Sequence, residues 1–168
     1  MARCLIVGCG CRGQALAREL RGDGHAVRGT TRVPGRRAAI EAAGAEPYVG
    51  DPDRVGTLFP ALAHVGVACV LLGSAAGTEE QLAALHSTRL DMLLEKMLDT
   101  TVRAVVYEAA GTVDPQLLAV GAARVRYWCE RSLIPYVLLE SDPADHEAWT
   151  EAAAGAVRRA LMAEGQAA

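Results

Sequence analysis

At 168 residues the chain suits one domain with one core, and with 51% hydrophobic but only 4% aromatic residues that core must be built from Ala, Val and Leu. A formal net charge of −3 excludes nucleic-acid binding through a broad basic surface. The longest apolar stretch, 65–72, is too short to cross a bilayer, and the amino terminus reads straight into a strand rather than a leader, so a cytoplasmic protein without a membrane partner is expected.

Residues 3–7 read as a buried strand. Glycines and then a helix over 14–21 follow, with Ala15, Leu16 and Leu20 as its apolar stripe and Gly22-Asp23-Gly24 as its stop. A strand over 25–31, a helix over 36–43 and a short strand over 46–49 continue the alternation. Residues 53–63 have helical spacing at Val55, Leu58 and Leu62. The run 67–72 is apolar throughout, as a parallel strand covered on both faces should be. Thr78 and Gln81 have capping-box spacing and open a long helix reaching towards Leu98. A fifth strand over 102–107, a helix over 115–131 and a sixth strand over 136–139 come next. Asp142 with Pro143 then starts a last helix, whose apolar face carries Trp149, Ala152, Ala153, Ala156, Val157, Ala160 and Leu161. Six strands alternating with helices, joined by right-handed crossovers, predict an α/β doubly wound parallel sheet in the order 3-2-1-4-5-6, with 1–168 as a single domain.

Between the first strand and first helix stands Gly8-Cys9-Gly10-Cys11-Arg12-Gly13, a G-x-G-x-x-G in the position that makes it meaningful. Gly8 permits the tight turn, Gly10 lets backbone approach a pyrophosphate, and Gly13 lets the helix pack closely on the strand. The helix amino terminus, with Cys11 and Arg12, then faces the phosphates with free N–H groups. This predicts a Rossmann-type dinucleotide site. The second strand ends Thr30-Thr31-Arg32, where NAD-preferring domains place an acid on the ribose. Here a hydroxyl and cations, with Arg36 or Arg37 in addition, suit a 2′-phosphate, so NADP is expected before NAD.

The whole chain resembles an atypical member of the short-chain dehydrogenase/reductase superfamily, in its NAD(P)-dependent epimerase/dehydratase-like group. Five passages carry the resemblance: the glycine loop, Thr30-Thr31-Arg32, Val49-Gly50-Asp51 with Leu58, Ala61 and Leu62, Val105-Val106-Tyr107, and Ile134-Pro135-Tyr136-Val137-Leu138-Leu139. It implies that Asp51 lies near the adenine, a turn or N-cap role before Pro52 being the other reading, and that Gly73-Ser74-Ala75 passes beside the nicotinamide ribose. Active members carry a serine after the fifth strand and a Tyr-x-x-x-Lys on the next helix. This chain has Glu108-Ala109-Ala110-Gly111 at the first place and no lysine over 115–131. Tyr127 and Arg131 have the right separation, but an arginine cannot relay a proton, so Tyr127 is read as a buried or interface residue. Relatives place a substrate lobe after the sixth strand; here Glu140-Ser141-Asp142-Pro143 runs into one terminal helix, so no such lobe is expected.

Catalytic candidates are therefore confined to Ser74, Glu108 and Glu140. The two glutamates close adjacent strands, where neighbouring carboxylates could titrate apart; one helix cap and one solvent-facing acid is the plainer reading. The five cysteines lack zinc spacing and disulfide logic, and Cys9 and Cys11 flank the loop as space-fillers or oxidisable thiols. None of the four histidines has a metal-binding partner by spacing. The function expected is an NADP-binding or regulatory module with little generic reductase activity. The alternatives are an NADPH-dependent oxidoreductase or epimerase-like enzyme on a small carbonyl or sugar-like substrate, and a ligand-free structural domain. A homodimer is expected through helices 78–98 and 115–131, from Leu82, Leu85, Leu93, Met97, Val125 and Trp128.

Overall fold

Alternation along each strand decides which side of the sheet a residue faces, and here both sides are apolar. In the computed structural model, which describes residues 1–167, strands β1 (Arg3–Val7), β2 (Ala26–Thr31), β3 (Glu46–Val49), β4 (Val67–Val70), β5 (Ala104–Glu108) and β6 (Tyr136–Leu139) form one parallel sheet. Its order is β3-β2-β1-β4-β5-β6, as the sequence predicts. Cys4, Ile6, Val67, Cys69, Ala104 and Val106 point into one core, which takes its other wall from α1 (Cys11–Gly22), α2 (Arg37–Ala42) and α6 (His146–Ala167). Leu5, Val7, Ala68, Val70, Val105 and Tyr107 point into the second, roofed by α4 (Thr88–Met97), α5 (Pro115–Arg131) and a 3₁₀ segment, Val55–Leu62. Small side chains on α6, Ala153, Ala156 and Ala160 among them, bring that helix close to the sheet without exposed surface to spare.

Several boundaries differ from the sequence expectation for local reasons. The first helix starts three residues early, at Cys11, since its opening turn lies within the glycine motif. The second helix is divided: Pro34–Arg36 form a 3₁₀ turn and α2 follows it. The spacing at Val55, Leu58 and Leu62 belongs to a 3₁₀ run, which tolerates Pro60 inside it. The last helix does not begin at Asp142-Pro143. Asp142 accepts the Ala144 N–H in a turn, and Asp145 accepts the Ala148 N–H at the true helix start.

The long helix expected from Thr78 is two helices, α3 (Glu79–Leu85) and α4, with the predicted capping box intact at Thr78. His86 stands at the break and turns inward, with 1% of its surface exposed. Its Nε2 lies 3.1 Å from the Leu72 carbonyl, which only accepts, so that nitrogen carries the hydrogen. Nδ1 therefore accepts from the buried Tyr107 hydroxyl at 2.7 Å. Below the break, Asp91 ties α4 to α5 by pairing with Arg124 and accepting the Trp128 indole N–H at 2.9 Å. Leu85, Leu93, Met97 and Val125 are buried within the chain, which removes most of the apolar surplus from which pairing was expected. Met92, Val120 and Tyr127 remain exposed on these helices.

Tyr107→Phe leaves His86 Nδ1 unpaired in the core, a loss of about 1–3 kcal/mol. Urea unfolding should show a lower midpoint at unchanged slope. An unchanged midpoint would show that this bond contributes nothing.

Candidate functional site

The carboxyl ends of β1, β2 and β4 open into a cleft of about 380 Å³. Its floor is the glycine loop. Gly8 has φ +84°, and a Cβ there would stand 2.6 Å from the Leu71 carbonyl oxygen, so the turn excludes any side chain. A Cβ on Gly13 would come within 3.2 Å of Ile6 and of the Gly8 carbonyl. Gly10 is different: a Cβ there meets nothing within 4 Å. Two glycines serve packing and the third borders open space. Gly10 is also the N-cap of α1, and no side chain caps that helix. The N–H groups of its first turn, which a helix cannot bond internally, border the cleft beside Cys11 and Arg12.

Thr30 reaches the loop but not as a free ligand group. It is buried, its hydroxyl accepts the Gly8 N–H at 3.1 Å, and its carbonyl accepts the Cys9 N–H at 2.9 Å. Thr31 turns back on its own chain and accepts the Val33 N–H at 3.1 Å. Arg32 and Arg36 line the cleft, whereas Arg37 donates to the Pro34 carbonyl. The second strand carries no acid at its end, and the resemblance places Asp51 near the adenine instead; the fold brings a different acid here. Asp53, from the loop after β3, lies 3.7 Å from Arg32 and 3.3 Å from Arg89 of α4. No local pattern signals that trio, since its members come from three separate elements. Asp51 itself accepts the Asp53 N–H at 2.9 Å, the turn role, while Gly50, Pro52 and Asp53 line the cleft beside it. The charged side chains on the wall are thus three arginines against one aspartate, a cationic cleft in a protein of net charge −3.

At the other end Ser74 lines the cleft, and its hydroxyl accepts the Thr112 N–H at 3.3 Å. Gly73 lies behind it and gives its N–H to Glu108. The two glutamates part company here. Glu140 is exposed and is not part of the cleft wall. Glu108 has no exposed surface: Oε1 accepts from Gly73 N at 2.8 Å, Oε2 accepts the Trp149 indole N–H at 2.9 Å, and Arg12 lies 3.6 Å away. Neither the adjacent-carboxylate expectation nor the helix-cap alternative describes it. His146 and Trp149 of α6 join the wall, although the sequence marks Trp149 only as part of an apolar stripe. Tyr127 lies away from the cleft, half exposed, with the Arg131 guanidinium 5.0 Å over its ring. Cys9 is buried against Gly29 and its thiol is pushed up to about 12, which makes it a filler; Cys11 is exposed. Among the described residues no group is arranged to hold a metal, and no helix is long and apolar enough to cross a membrane.

Burial pushes the Glu108 carboxyl above its ordinary value of 4.5, against the opposing pull of the Gly73 N–H, Arg12 and Trp149. Its contribution to stability is therefore fully present below that value and lost as pH rises through the folded one. His86 has the opposite sign. Burial lowers it from 6.5, so its contribution is present above that value and lost as pH falls. The difference in unfolding free energy between the natural protein and Glu108→Gln isolates the first effect, and it should decline as pH is raised above 4.5. A difference independent of pH would contradict this placement of the carboxylate.

No protein-family model and no curated protein matches the chain. Solved structures do. A short-chain dehydrogenase/reductase superfamily protein from Agrobacterium tumefaciens, solved with bound NAD, superposes with a TM-score of 0.68 at 19% identity over 82% of this chain and 48% of its own. UDP-glucose 4-epimerase from Thermotoga maritima gives 0.68 at 12% identity, over 82% and 54%. Triphenylmethane reductase from Citrobacter gives 0.65 at 19%, over 83% and 48%. The chain spans about half the length of these proteins, and over that half it has the Rossmann-type fold of the short-chain dehydrogenase/reductase and epimerase proteins.

Proposed function

We propose that the cleft binds a nicotinamide dinucleotide, NADP in preference to NAD, and that the chain works as a binding or regulatory module. The observation that carries this is Gly10. The fold has no need of a glycine there, yet one stands at an uncapped helix amino terminus facing a cationic cleft. A close-approaching pyrophosphate accounts for all three features. The likeness to a protein solved with NAD supports the same ligand class. Arg32 and Arg36 on the wall support a 2′-phosphate contact. Asp53 favours a second reading, in which its carboxylate accepts the ribose hydroxyl of NAD and Arg32 only steadies it. Pairing of two copies through α4 and α5 belongs to the same proposal, and rests on Met92, Val120 and Tyr127.

NADPH should raise the melting temperature by mass action. Gly10→Val should melt near the natural protein and lose that rise. Undiminished binding in the variant would remove the pyrophosphate from Gly10. Arg32→Ala should reduce the NADP preference by at least about tenfold, as a charge-assisted contact implies, and tighter binding of NAD by the natural protein would give the ribose to Asp53.

Reduction of a carbonyl needs a proton or a strong donor where the alkoxide forms. Glu108 is enclosed and committed to three partners, Glu140 and Tyr127 lie outside the wall, and Ser74 offers a neutral hydroxyl. NADPH oxidation against a panel of aldehydes, ketones and quinones should stay below about 1 s⁻¹. Faster turnover would make the chain an enzyme.

A further inference from the structure

Three stretches of chain far apart in sequence end on one carboxylate. Glu108 closes β5; it accepts the Gly73 N–H and the Trp149 indole N–H, and the Arg12 guanidinium pairs with it at 3.6 Å. Arg12 also lies over the Trp149 ring, 5.4 Å from its centroid. Arg12 belongs to the glycine loop, Gly73 leads into Ser74, and Trp149 stands in the first turn of α6. Arg12, Ser74 and Trp149 all line the cleft, whereas Glu108 does not. The residue touches nothing that would occupy the cleft, yet it holds Arg12, Trp149 and the Gly73 N–H next to Ser74.

We propose that Glu108 is a positioning residue which couples ligand binding in the cleft to the seating of the first turn of α6, so that each stabilises the other; this rests on the dinucleotide reading above. A carboxylate only accepts; its two oxygens take the Gly73 and Trp149 N–H groups while its charge pairs with Arg12. His146 and Trp149, both from the first turn of α6, form part of the cleft wall at that end. A ligand that orders Arg12 and the Ser74 turn meets an α6 already tied to both, and linkage makes the benefit reciprocal. The remainder of α6 is anchored independently. Ala153, Ala156, Val157 and Ala160 are buried, and Arg158 pairs with Asp23 at 2.9 Å. Loss of the Glu108 contacts therefore loosens the first turn without detaching the helix.

The chain has two tryptophans, so Trp128→Phe leaves Trp149 as the sole indole reporter. In that protein NADP⁺ should change Trp149 emission in step with saturation and slow amide exchange in the first turns of α6. Adding Glu108→Gln turns an NH₂ towards one of the donors. Affinity should fall at least about tenfold, the scale of a lost charge-assisted bond, and at saturating NADP⁺ the protection of α6 should vanish while that of residues 10–13 persists. Trp149→Phe keeps an aromatic ring but removes the N–H donor together with part of the indole's volume. It should weaken NADPH binding, followed by nucleotide fluorescence, and lose the α6 protection likewise, which serves if Glu108→Gln fails to fold. Binding of equal affinity in these variants, or NADP⁺ that leaves α6 exchange unchanged, would overturn the coupling alone. Failure of the Glu108-containing protein to bind any dinucleotide would overturn the dinucleotide reading and the coupling together.

Discussion

The turn at Gly8 stands against the Leu71 carbonyl so closely that a single methyl group would come within 2.6 Å of it. That contact brings the end of β1 beside the end of β4 and directs α1 away from the carboxyl edge with its amino terminus facing the cleft. The Thr30 hydroxyl and carbonyl then hold the loop from the other side. Because these contacts join neighbouring parallel strands, they fix the loop before any ligand arrives. Preorganisation of this kind lowers the cost of binding, since little chain remains to be ordered.

What the loop is preorganised for follows from the division of labour among its glycines. Crowding explains Gly8 and Gly13, so neither argues for a ligand by itself. Gly10 has room for a side chain and lacks one, and an uncapped helix terminus with three arginines on the cleft wall surrounds that room. The same cleft is poorly equipped for proton transfer. Its nearest buried carboxylate is consumed in holding Gly73, Trp149 and Arg12 together. The charged groups that line the cleft are mainly cationic, and the buried carboxylate lies behind its wall.

Much of this was legible in the sequence, because it depends on short-range patterns. Strand runs, the G-x-G-x-x-G and the capping box at Thr78 are each contained in a few residues, and the sheet order follows from chirality once the strands are counted. The rest depends on contacts across the fold. His86 reads as one more residue of an unbroken helix until Tyr107, 21 residues on, supplies the hydroxyl that draws it inward. Trp149 reads as stripe until Glu108, 41 residues away, accepts its N–H. Asp53 acquires meaning only where β3's following loop meets Arg32 and Arg89. Periodicity names a buried face; it does not say which polar group that face will encounter.

At 17.6 kDa the chain suits residue-resolved amide spectroscopy, and titration of the labelled protein with NADP⁺ addresses the central claim at the atoms concerned. The N–H signals of residues 8–13, with those of 31–33 and 74–76, should shift together along one saturation curve, while the amino edge of the sheet around Arg103 and Leu133 stays still. Shifts confined to that opposite edge, or none at millimolar nucleotide, would contradict the placement of a dinucleotide on the glycine loop.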